Sequence, residues 1–214
     1  MTTLLRAPRQ CASWYWDLDE IVPPGMESAL KVASHAVTVL KQFDLLTPVS
    51  LEYNWYVLYS GFTGVRSSLY GFTSLDDPAL PKKLLASRPS GFPKAQISEV
   101  SVVGSGTWFD GAGEARVEPQ VVDLSVTTDP FGPSVTVSVH HDIWSWFDFS
   151  GRPHPEVHSR NAPRLADALR ALESALGMEA ETGEATYFGS AVGYSVSTPD
   201  ADDDGMGPNL TRKL

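Results

Sequence analysis

The sequence predicts an α+β fold, an antiparallel meander sheet with two principal helices packed on one face. Three observations carry this expectation. Two stretches, 26–43 and 161–176, repeat apolar residues at helical spacing. Other segments alternate apolar and polar residues, most clearly where Val135, Val137 and Val139 interleave with Ser134, Thr136 and Ser138. The turns between the later segments are short, which makes sequential strands antiparallel neighbours. With no internal repeat and no second core pattern, residues 1–197 read as one α+β domain and 198–214 as an acidic C-terminal tail.

Along the chain, Trp14, Trp16 and Leu18 line one face of a first strand over 13–18. Pro23-Pro24-Gly25 interrupts, and from 26 to 43 Ala29, Val32, Ala33, Ala36, Val37, Leu40 and Phe43 form an apolar helical stripe. His35 lies beside that stripe as a partly exposed helix residue. Thr47-Pro48 ends the unit. Leu51, Tyr53, Trp55, Val57 and Tyr59 then make one face of a strand, and 65–72 returns after a glycine turn. Residues 74–93 form a Pro- and Ser-rich connection with a short helix from Asp76 to Leu85. Three strands follow, over 97–109, 116–127 and 134–147. Gly104-Ser105-Gly106 marks a bulge in the first, and Pro119 an edge or bulge in the second. Asn161 caps the last helix, Leu165, Leu169, Leu172 and Leu176 make its seam, and Gly177 stops it. Residues 186–196 supply a final edge strand.

The chain has 214 residues, 42% of them hydrophobic, which is enough to bury a core. A formal net charge of -10 disfavours nucleic acid, whose phosphates call for a basic face, and suits a cationic partner. The one cysteine, Cys11, excludes an internal disulfide and any Cys-rich zinc site, and fits a reducing cytoplasm. No apolar run reaches the ~18–20 residues that cross a bilayer. Pro8, Arg6 and Arg9 break up the first ten residues, so neither a signal peptide nor a membrane partner is expected.

Catalytic templates are absent: there is no nucleophile elbow, phosphate loop or dinucleotide fingerprint. Three constellations remain. At the end of the 134–147 segment, strand parity sends His140, Asp142, Trp144 and Trp146 to the outward face and His141 inward. A bulge near His141 would reset the register and bury the indoles; a continuous strand makes the four outward residues a binding surface of the type enriched at interfaces. In the following loop, His154, Glu156 and His158 fall on one side of an extended segment and are adequate ligands for a divalent metal. In the tail, Asp200, Asp202 and Asp204 with Gly205 reproduce the front half of a calcium loop, although Thr211 stands where the bidentate glutamate belongs.

The passage with Asp142 and Trp144, the Gly-Arg-Pro-x-Pro-Glu-Val loop at 151–157 and Asn-Ala-Pro-Arg-Leu at 161–165 resembles one in uncharacterised actinobacterial α+β proteins. The resemblance covers about a sixth of the chain. It implies an intracellular bacterial protein and no activity, and it implies that residues other than histidine are tolerated at 154. Two functional classes follow from these residues. One is a non-enzymatic binding protein for a protein partner, a toxin-neutralising immunity-type protein being one form. The other is a metal-dependent enzyme built on His154, Glu156 and His158.

Overall fold

The computed structural model describes residues 4–128, 132–198 and 200–214. The strands are β1 (Ala12–Asp17), β2 (Thr47–Val57), β3 (Gly61–Tyr70), β4 (Gln96–Phe109), β5 (Ala115–Pro119), β6 (Asp123–Thr127), β7 (Ser134–Val139), β8 (Glu181–Thr182), β9 (Ser190–Val192) and β10 (Ser195–Ser197). The helices are α1 (Met26–Gln42), α2 (Leu80–Ala86) and α3 (Pro155–Leu176). One 8-stranded antiparallel sheet runs in the order β3-β2-β4-β6-β7-β1-β8, with β5 added to β4; β9 and β10 form a separate hairpin. The meander holds from β4 to β7, while β1 enters beyond β7.

Alternation explains the layers. Trp14, Trp16, Leu51, Val102, Leu124, Val137 and their neighbours point to one face and are buried. Onto that face pack α1, through Leu30, Ala33, Ala36 and Leu40, and α3, through Leu165, Leu169 and Leu172. Among the described residues, the opposite face carries no helix.

Several boundaries differ from the sequence expectation. The 116–127 segment divides into β5 and β6 at Gln120, whose φ of 51° is left-handed and turns the chain. The 134–147 strand ends at Val139, and a 3-10 turn follows at Asp142–Trp144. Helix α3 starts at Pro155 rather than Asn161, so Pro163 lies inside it. Asn161 is therefore no cap. It is fully buried, accepts the Phe109 N–H at 2.9 Å and donates to the Phe109 carbonyl at 2.8 Å, tying α3 to β4. Gly104 and Gly106 serve close approach: a Cβ on either would lie 2.2 Å from the Thr47 carbonyl oxygen or 2.3 Å from that of Leu45. The connection from α1 to β2 thus rests directly on β4.

Residues 200–214 fold back onto the domain. The Gly207 N–H donates to the Gly151 carbonyl at 2.8 Å, and the Leu210 N–H donates to the Phe149 carbonyl at 2.8 Å. No helix among the described residues is long and apolar enough to cross a membrane.

Candidate recognition face

The uncovered face of the sheet is built by the same alternation that fills the core. Outward positions on β7 are Ser134, Thr136 and Ser138; on β6 they are Asp123, Ser125 and Thr127; on β4 they include Glu99, Ser101 and Val103. Register aligns these into rows across the strands. The central row runs Ser68, Glu52, Ser101, Ser125, Thr136, Tyr15, Glu181, one residue from each strand of the sheet path. Small hydroxyl side chains at its middle leave a hollow of about 330 Å³, lined also by Glu52, Arg66, Glu99, Asp123 and Arg6. Arg66 pairs with Glu52 at 3.2 Å. The face carries more carboxylates (Asp17, Glu52, Glu99, Asp123, Glu181) than guanidiniums (Arg6, Arg66).

His140 sits at the margin of this hollow. Its Nε2 lies 3.3 Å from Asp123 Oδ2 and its Nδ1 3.2 Å from the Ala7 carbonyl. Arg6 also donates to the Asp123 carboxylate, and at 2.9 Å to the Gln120 carbonyl. Burial, and then the Arg6 charge, lower the His140 pKa. Both ring nitrogens face acceptors, so neither is placed to take a proton from a substrate hydroxyl. His141 is buried, with Nδ1 2.9 Å from the Leu5 carbonyl and Nε2 3.2 Å from that of Gln120. Burial lowers its pKa as well. Together these groups hold residues 5–7 against the ends of β6 and β7.

The other residues of the expected binding surface part company with His140. Neither a bulge nor a continuous strand decides them, because the strand has already ended. Asp142 turns inward, where its carboxylate accepts the Phe149 N–H at 2.9 Å and burial raises its pKa. Trp144 is fully buried and its indole N–H has no partner among the described residues. Trp146 alone is exposed, to 48%, and meets His158 edge-on with ring centroids 5.7 Å apart. The four residues therefore do not form one patch.

The expected metal ligands are separated by the early start of α3. A step of two residues along a helix turns the side chain by about 200°. His154 and His158 share a side, and Glu156 is exposed on another. His154 Nε2–H donates to the Ser145 carbonyl at 2.8 Å. The Asp202 carboxylate is committed to its own turn, accepting N–H bonds from Asp204 at 3.0 Å and Met206 at 2.9 Å. Among the described residues no three His, Cys, Asp or Glu side chains, Asp200 and Asp204 included, converge as metal ligands. The Cys11 thiol is buried, and desolvation followed by the Asp142 charge pushes its pKa up to about 12, so it stays protonated and unreactive.

The hydroxyl row was not singled out by sequence, although its signal is present. Residues 134, 136 and 138 read Ser-Thr-Ser, and 123, 125 and 127 read Asp-Ser-Thr. What joins them is register, which pairing alone supplies. Comparison with protein-family models, with curated proteins and with solved structures finds no match.

Proposed function

We propose that the chain is a non-enzymatic binding protein that receives a cationic protein partner on the open face of its sheet. The observation that carries this reading is the uncovered row through Glu52, Ser101, Ser125, Thr136 and Tyr15. Hydroxyls both donate and accept, and short side chains lose little rotamer freedom when covered. The surrounding carboxylates and the net charge of -10 steer a basic surface toward it. A toxin-neutralising immunity-type protein is the form of binding protein that this combination fits. The free, buried Cys11 is in keeping with a reducing cytoplasm, the setting this reading calls for.

The test compares the chain with a Ser125→Arg/Thr136→Arg variant, both substitutions lying on the open face. Each is immobilised, basic proteins captured from the source cells are identified, and their affinities are measured at low and high salt. The expected result is a basic partner whose association slows with salt and whose affinity falls at least 10-fold in the variant. Equal capture by both chains overturns the reading.

A further inference from the structure

The two ends of the strand order are finished differently. Beyond β1 lies the two-residue β8, a very short edge strand. At the other end lies β3, ten residues long and, among the described residues, paired only with β2. Its register with β2 shifts between Asn54 and Tyr56, so the ladder is regular only over 66–70 and is continued by Val65 on the same strand. In this stretch Arg66, Ser68 and Tyr70 point to the open face and are exposed, Tyr70 to 66%. Leu69 and Val65 lie on the other face, half-buried. A free, regular edge of this kind is a template for another strand.

We propose that residues 66–70 of β3 pair antiparallel with the same residues of a second copy of this chain, about a two-fold axis at Ser68. In that register Arg66 of each copy stands opposite Tyr70 of the other, and Ser68 opposes Ser68. Leu69 then faces Ser67 of the second copy on the inner side. The charge pattern selects this register. An axis at Arg66 would set two guanidiniums against each other and would draw the irregular stretch before Val65 into the ladder. With the axis at Ser68, each guanidinium meets a tyrosine ring, a favourable cation–π pair, while keeping its own Glu52 at 3.2 Å. The pairing goes beyond the binding role above and does not depend on it. It joins two sheets edge to edge, so two open faces become continuous. A five-residue ladder is a small interface, so the expected dimer is weak and reversible.

Sedimentation velocity of the full chain from 5 to 200 μM tests the pairing; the expected outcome is a reversible monomer–dimer equilibrium. Tyr70→Lys replaces the ring by a cation opposite Arg66 and, being a surface change, leaves the monomer folded; it shifts the equilibrium at least 10-fold toward monomer. The register has its own test. Ser68→Cys places a thiol on the axis, and the native Cys11 is buried and does not compete. Mild oxidation is expected to give a disulfide-linked dimer at least 10 times faster than for a Ser101→Cys control on the open face. A wild-type chain that remains monomeric at 200 μM overturns the proposal, as does a dimer unaffected by Tyr70→Lys. A dimer whose Ser68→Cys form links no faster than the control overturns the register.

Discussion

His141 shows how a single side chain couples this fold to pH. Its ring is buried between two backbone carbonyls, of Leu5 and Gln120, and a neutral imidazole can donate to only one of them. A proton would supply the second bond, yet burial outweighs that gain and the pKa lies below its ordinary value. The folded state therefore binds protons less readily than the unfolded state. Stability from this group is complete above the unfolded value near ~6.5 and is lost as pH falls toward the folded pKa. His140 is shifted in the same direction and contributes with the same sign. Urea unfolding at pH 7, 6 and 5 is expected to show falling stability, up to about 1.4 kcal/mol per pH unit for His141. His141→Asn should flatten that slope; an unchanged slope would mean that other groups carry it. Strand parity in the sequence already sent His140 outward and His141 inward. It failed at Trp144 because parity lapses once a 3-10 turn advances the chain about 120° per residue.

At the scale of elements, what the sequence shows is periodicity and what it conceals is contact. Helix α1 lies where the apolar stripe placed it, since Ala29, Val32, Ala33, Ala36, Val37 and Leu40 are all buried. The start of α3 was displaced because Pro155 and Pro163 are each compatible with a first turn, and only packing distinguishes them. Asn161 looked like a cap for the same reason, whereas its amide satisfies backbone groups of β4 that would otherwise be buried without partners. The glycines at 104 and 106 make the point most sharply. Sequence suggests a bulge, and the register of β2 on β4 does shift between Pro48 and Ser50, opposite Gly104; the structure adds another segment's backbone where the glycines' side chains would be. Gly104→Ala should thus destabilise the domain by about 3 kcal/mol, because the obstructing atoms are backbone and cannot swing aside. Chemical denaturation measures this. A loss within ~0.5 kcal/mol, typical of surface substitutions, would mean that the 45–47 connection yields easily.

Across the whole molecule, residues from both ends of the described chain meet on 140–151, the stretch whose histidines and tryptophans first suggested a site. Residues 5–7 dock through His140, His141 and Asp123, and residues 207–210 dock on Phe147, Phe149 and Gly151. Gly151 is fitted to this role twice over: its φ of 85° is left-handed, and a Cβ there would lie 2.2 Å from the Gly207 carbonyl oxygen. Phe147 lies against Gly207, which leaves no room for a side chain at 207. The acidic turn upstream is closed by Asp202 bonding its own backbone, and packing and N–H bonds hold the segment that follows. A chain ending at Thr198 is therefore expected to lose about 2 kcal/mol, a fall in Tm of about 4–8 °C for a domain of this size. It should also bind a hydrophobic dye, because Phe147, Phe149 and Phe188 lose their cover. EDTA, in contrast, should leave the Tm of the full chain unmoved. Differential scanning calorimetry separates the cases: an equal Tm for the truncated chain would mark 200–214 as a solvated appendage, and a fall on adding EDTA would show that a bound cation holds it in place.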